Sequence, residues 1–153
     1  MSAQRLLRWA QPRLHDLAPL VLRAGLGTMF LFHGGPKLLG GPPTWAQFGS
    51  AMTAMGIIFL PATFWGLMAG LSEFVGGLLL VLGVVTRPAC LFLTFTMLVA
   101  ISRHVLRHDG FADWSHPAED AVAFVSLFIL GPGRYRLRGV ETSSTAFRIV
   151  GIR

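Results

Sequence analysis

Four apolar stretches, separated by segments richer in glycine, proline and charge, organise this chain of 153 residues. Leu17 to Leu39, Phe64 to Val85 and Pro88 to Val105 each come close to the ~20 residues that a helix needs to cross a bilayer core. Pro117 to Leu130 is shorter and reaches only about 21 Å at 1.5 Å per residue. It must begin earlier, near Trp114, thin the bilayer locally or lean on its neighbours, and it counts as a fourth span. The pattern predicts an all-α fold, an integral membrane four-helix bundle forming one domain. Between the first two spans, Thr44-Trp45-Ala46-Gln47 has the form of a capping box, and Trp45, Phe48, Met52 and Met55 follow at helical spacing before Gly56. A short interfacial helix is expected there, either a lid over the bundle or an apolar stripe that seals it.

The chain then divides into an arm over residues 1–16, spans over 17–39, 64–85, 88–105 and 117–130, outer loops over 40–63 and 106–116, and a basic tail over 131–153. Thr86 and Arg87 form the link between spans two and three. The arm mixes Leu6, Leu7, Trp9 and Leu14 with three arginines. It suits either a helix lying on an anionic leaflet or a solvated basic tail.

Composition reinforces the membrane reading. The chain is 53% hydrophobic and 13% charged, half the charge of an ordinary soluble domain, and its mean hydropathy is +0.61. That excludes a disordered charged tail and a water-soluble globule. The net charge of +6 suggests nucleic acid, but the arginines lie in the arm, the tail and the Thr86-Arg87 link, leaving the middle almost bare. Nucleic-acid binding requires a continuous basic face, whereas this distribution is the positive-inside pattern of a membrane protein. Nine of the twelve arginines fall on one side if the spans number four, so both termini are expected in the cytoplasm. Arg23 interrupts the first apolar run and no small-x-small site follows, which argues against a cleaved signal peptide. Cys90 is the single cysteine, so the chain has neither an internal disulfide nor a CxxC pair.

An ionisable side chain inside a bilayer costs several kcal/mol unless it is paired, snorkelled or hydrated. Arg23, Gly27, Phe30, Gly34 and Lys37 share one face of the first span, with His33 at its margin. Gly66, Gly70, Glu73 and Gly77 share one face of the second. Two glycine-lined faces of opposite charge are natural partners. Helical side chains lean toward their own N-termini, so Lys37 and Glu73 lean toward each other. Arg23 leans the other way, toward cytoplasmic headgroups. The cluster is either a structural ion pair or the polar floor of a ligand site in which Glu73 or His33 exchanges protons. His33-Gly34-Gly35-Pro36-Lys37 is expected to break the helix. His104 and His108 lie at i, i+4 near Asp109, Asp113, His116, Glu119 and Asp120. Arg103 and Arg107 repel a cation, however, so no metal is expected, nor a haem between His33 and His104. Arg103 and Arg107 are expected to pair with Glu119 and Asp120. No GxGxxG, P-loop, GxSxG or HExxH motif is present.

Several stretches carry a resemblance. They are Leu22-Arg23 with Gly25 and Gly27, Phe32-His33-Gly34, Pro36-Lys37-Leu38-Leu39, Leu71-Ser72-Glu73-Phe74-Val75-Gly76-Gly77, Leu82-Gly83 to Thr86-Arg87, and Gly131-Pro132-Gly133-Arg134-Tyr135. In this order they resemble the DoxX family of small bacterial and archaeal four-helix membrane proteins. The ending departs from the family pattern, with Arg136-Leu137-Arg138 where Ser-hydrophobic-Asp commonly stands. The resemblance implies a multi-pass protein of the bacterial or archaeal cytoplasmic membrane. The family's named member resembles a subunit of a thiosulfate:quinone oxidoreductase and terminal quinol oxidase system. Relatives are linked to oxidative-stress membrane complexes and quinone detoxification. No catalytic residues carry over.

The leading expectation is a quinone-interacting or small-apolar-ligand-binding subunit of a membrane oxidoreductase. Lys37 and Glu73 would set the polar end of the site, His33 would bond a carbonyl oxygen, and Trp45, Phe48 and Met52 would cover the ring. No cofactor is expected in the chain itself beyond a bound quinone or lipid. The expected partners are the lipid bilayer and redox subunits or further copies of the chain, with no nucleic acid. The competing expectations are a non-catalytic anchor or assembly subunit and a small transporter.

Overall fold

The computed structural model describes the backbone of residues 3–137 and the side chains of residues 16–137. The side chains of the arm before Asp16, and the tail beyond residue 137, lie outside the described residues. Five helices follow in order: α1 (Ala3–Leu39), α2 (Gly41–Ala54), α3 (Ala62–Leu82), α4 (Thr86–Leu106) and α5 (Phe111–Leu130). There is no strand among the described residues.

Three helical segments are long and apolar enough to cross a membrane: Asp16–Leu39, Ala62–Leu82 and Thr86–Leu106, with mean hydropathies of 1.3, 1.7 and 1.8. With 20 residues α5 is nearly as long, but Asp113, Glu119 and Asp120 crowd its first half. Large apolar side chains point outward from all four long helices, among them Phe32, Phe74, Phe92, Phe95, Val122 and Ile129. In water so much exposed apolar surface would drive aggregation; in a bilayer it is the solvent-facing surface.

Several boundaries differ from those the apolar pattern predicts. The arm is not a separate element, because α1 runs unbroken from Ala3. Nor does α1 break at His33 to Lys37. Pro36 removes one donor near the end of a helix whose next bond, Gly40 N to Pro36 O at 2.9 Å, is made, and one missing bond does not stop a helix. At the end of α3, Gly83 adopts the left-handed conformation and caps Leu79 and Leu80. The link between α3 and α4 is therefore Gly83 to Val85, and Thr86-Arg87 forms the first turn of α4. α5 starts at Phe111, earlier than Pro117 and three residues ahead of Trp114, because Asp113 accepts the Gly110 N–H at 3.1 Å and starts the helix in the loop after α4.

Packing starts from glycine. Along α1 and α3 the backbones touch: a methyl at Gly27 would lie 2.6 Å from the Gly77 carbonyl oxygen, and one at Gly77 would lie 2.7 Å from that of Gly27. A methyl at Gly34 would run into the Phe74 backbone. This seam of small residues brings two membrane helices into contact without any hydrophobic drive between them. A second close approach, between Gly49 and Gly66, presses α2 onto the start of α3. The core lies between α1, α3, α4 and α5 and contains Phe30, Leu80, Cys90, Leu93, Met97, Phe124 and Leu127. Between α1 and α5 the contact is sparse and depends on the Phe30 and Phe124 rings, edge to face at 4.8 Å.

Candidate functional site

Lys37 and Glu73 form the ion pair between α1 and α3. The Lys37 ammonium donates to both carboxylate oxygens of Glu73, at 2.5 and 2.6 Å. Glu73 stands near the midpoint of α3, about 15 Å from either end at 1.5 Å per residue. Its side chain is 3% exposed and that of Lys37 is 20% exposed. The antiparallel seam places Lys37 one turn above Glu73, and the backward lean of helical side chains closes the gap.

From above, α2 roofs this pair. Its residue Phe48 presents its ring 4.7 Å from the Lys37 ammonium. The Arg103 guanidinium, from α4, lies 5.7 Å from the centre of the same ring. Two cations therefore share one aromatic ring, a cation–π arrangement in which one of them is also paired with the Glu73 carboxylate. Trp45 ties the roof down by donating its indole N–H to the Lys37 carbonyl at 2.9 Å.

The helix α2 begins three residues before the predicted capping box. Gly40 is its N-cap, Pro42 and Pro43 occupy the first turn, and the Thr44 hydroxyl bonds back to the Gly40 carbonyl instead of capping. Gly56, at φ +83°, follows the end of the helix as expected. Met52 is buried, one turn along α2 from the close approach of Gly49 to Gly66. Gly66 accordingly serves α2, not α1. Between α2 and the start of α3, Pro42, Trp45, Thr63, Phe64 and Leu67 line a shallow apolar groove of about 260 Å³.

Other expected partners change. His33 is exposed: its ring meets Phe30 at 5.9 Å, and Asp120 of α5 lies within its electrostatic reach. His33 and Asp120 thus mark the sparse seam between α1 and α5. Arg23 does not snorkel. It is 2% exposed, and its guanidinium donates to the carbonyls of Leu80 and Val81 at 3.4 and 3.3 Å, satisfying the C-terminus of α3. A side chain at Gly83 would occupy the space that its guanidinium fills.

None of the ion pairs among the described residues joins Arg103 or Arg107 to Glu119 or Asp120. Instead, Arg107 approaches Asp109 at 3.8 Å and His104 Nδ1 meets Asp109 at 2.8 Å. Asp109 follows directly on α4 and lies within reach, whereas Glu119 and Asp120 sit two turns into α5. The described residues contain no group of three His, Cys, Asp or Glu side chains able to hold a metal ion. The sequence reading missed the position of Arg103 over Phe48 and the capping by Arg23. Neither has a local signature, since both depend on contacts between helices. The His104–Asp109 contact was missed too, although the two residues lie only five apart around the end of α4.

Residues 18–109, well over half of the chain, match the family model described as DoxX. No curated protein and no solved structure matches the chain.

Proposed function

This chain belongs to the DoxX family and is a multi-pass membrane protein, and from that premise we propose that it binds a quinone or similar carbonyl-bearing apolar molecule as a subunit of an inner-membrane oxidoreductase. In this reading α1, α3, α4 and α5 all cross the membrane as a four-helix bundle, both termini are cytoplasmic, and α2 is the interfacial roof. The observation that carries the reading is the Lys37–Glu73 pair, with Glu73 near the midpoint of α3 and Arg103 sharing the Phe48 ring with Lys37.

A polar cluster of this kind is expensive in a bilayer and is normally kept for a task. The donor set fits a quinone. Its carbonyl oxygens accept hydrogen bonds and gain electron density on reduction, and the two cations against one carboxylate favour that change. Phe48 offers a flat ring for stacking, and Lys37 remains partly accessible. Glu73, bonded to Lys37, is the group able to hold or release a proton at the carbonyl end. The ligand would enter sideways from the bilayer between α1 and α5, past His33 and Asp120, where these helices touch least.

The test is titration of the purified protein in nanodiscs with a short-tailed quinone. Saturable binding is expected, weakened about fivefold by Phe48→Leu, which keeps the bulk and removes a ring contact worth about 1 kcal/mol. An absence of saturable binding, or an unchanged affinity in Phe48→Leu, contradicts the reading. The Gly49–Gly66 lock favours a second reading, a passive anchor for partner subunits. In that case the pair only fixes helix register, and partners co-purify irrespective of quinone.

A further inference from the structure

The contact between α1 and α5 sets two imidazoles and a carboxylate in one register. α1 and α3 are antiparallel along their glycine seam, and the turns after α3 and α4 each reverse the chain, so α5 runs against α1. The two helices meet where the Phe30 and Phe124 rings stand edge to face at 4.8 Å. Toward the end that carries α2, His33 follows Phe30 by three residues and Asp120 precedes Phe124 by four, which places both about one turn beyond the ring contact. The His33 ring leans back on Phe30, and its charge reaches Asp120. A further turn toward the start of α5, His116 shares the face of Asp120 and acts on it as well. The order His116, Asp120, His33 thus leads from the outer part of α5 into the seam.

Depth makes this arrangement costly unless it has a use. At 1.5 Å per residue, His33 lies about 9 Å from the end of α1 and Asp120 about 14 Å from the start of α5. Ionisable side chains at such depth in a bilayer are kept for pairs, hydrated paths and proton relays. Asp120 is not locked in a pair: no ion pair or hydrogen bond among the described residues holds its carboxylate, whereas Glu73 takes two bonds from Lys37. It is half-buried between two exposed imidazoles, and single waters can bridge the gaps. The other ionisable groups around the seam are engaged elsewhere. α2 has none, Glu73 is the only one on α3, and at this end of α4 Arg103 faces Phe48 and His104 bonds Asp109. Glu119, beside Asp120 on α5, adds a like charge.

We propose that His116, Asp120 and His33 form a proton path between the α1–α5 seam and the face of the membrane on which α2 lies. A proton taken from water by His116 passes to Asp120 as an imidazolium N–H bond breaks and a carboxyl O–H bond forms. It then passes through bridging water to the ring nitrogen of His33, and Asp120 returns to its carboxylate form. Imidazole suits both ends of such a path, because it exchanges its proton near neutral pH. What the proton serves rests on the quinone reading above: a quinone entering between α1 and α5 exchanges protons with the α2 face of the membrane and not with the opposite one.

The lipid-soluble reagent dicyclohexylcarbodiimide tests the path without any quinone. It adds across the O–H of a protonated carboxyl group, and migration of the acyl group to nitrogen leaves a stable N-acylurea that mass spectrometry locates on the Asp120 peptide. The reagent is applied to intact cells, which hold their internal pH, after maleimide labelling of Gln47→Cys has fixed the side on which α2 lies. Asp120 should be labelled roughly tenfold more when the pH on that side is about 6 than when it is about 8, as for one titrating group. An ionophore that equalises internal and external pH should change nothing at a given pH on the α2 side. His33→Gln and His116→Gln should each shift the pH at which labelling halves, because each removes a charge that acts on Asp120, whereas a merely structural residue leaves that pH unmoved. An Asp120 that stays unlabelled throughout, a label that follows the pH of the opposite side, or a profile unchanged in both histidine variants overturns the path. Failure of quinone to bind, with these results intact, counts against the ligand reading and leaves the path standing.

Discussion

Lys37 and Glu73 share one charge pair but differ in how they tolerate losing it. Glu73 has a 3% exposed side chain at mid-span, whereas the Lys37 side chain is 20% exposed, close to the end of α1. Without Glu73, the lysine stem allows the ammonium to retract toward the interface. Without Lys37, a carboxylate is stranded in the core. Breaking a buried pair typically costs about 3–5 kcal/mol. Lys37→Met should therefore lower stability by about that amount and Glu73→Gln by distinctly less. Denaturation midpoints in nanodiscs check the order; equal losses, or a larger loss from Glu73→Gln, would contradict it. The pair was legible from helical periodicity and side-chain lean. The position of Arg23 was not. Its depth suggests headgroups, but only the tertiary contact reveals the Leu80 and Val81 carbonyls and the hole left by Gly83. His33, at the edge of the α1 stripe, was one helical step from either neighbour, and the packing turned it toward α5.

Between elements, the α1–α3 seam is set by backbone contact, so equal substitutions should have opposite effects along one helix. A methyl at Gly34 meets the backbone of Phe74, while one at Gly25 meets nothing within 4 Å. Gly34→Ala should push the helices apart at a cost of about 1–3 kcal/mol. Gly25→Ala should be neutral or stabilising by roughly 0.5–1 kcal/mol, through the helix propensity of alanine. Thermal unfolding of the two variants decides the point, and a tolerated Gly34→Ala would disprove the close seam. Apolar run length located the long helices to within a few residues wherever the flanks were plain. It failed at the start of α5, where a capping aspartate precedes the apolar run, and at Pro36, where proline chemistry near a helix end is weaker than a break. It also misplaced the α3–α4 link by one turn, because the left-handed Gly83 closes α3 early.

At the scale of the molecule, an apolar exterior wraps a charged interior pair and one basic end. The membrane character was legible from composition alone, since no fold of so apolar a chain buries enough surface for water. The number of crossings rests on α5. Cys90 is buried and can remain as background in cysteine-labelling variants. An impermeant maleimide applied to intact cells should label Gln47→Cys and spare Tyr135→Cys until the membrane is opened. Simultaneous labelling of both from outside would mean that α5 does not cross. The interior pair is the central claim, and the paired neutral variant Lys37→Met with Glu73→Gln separates ligand binding from helix register, because it removes both charges and strands neither. The decisive measurement is the quinone affinity of that variant against wild type, in folded protein of matched stability. The account predicts a loss of at least about tenfold, the equivalent of one charge-assisted hydrogen bond. An affinity equal to that of wild type would contradict it and leave Lys37 and Glu73 as a structural pair.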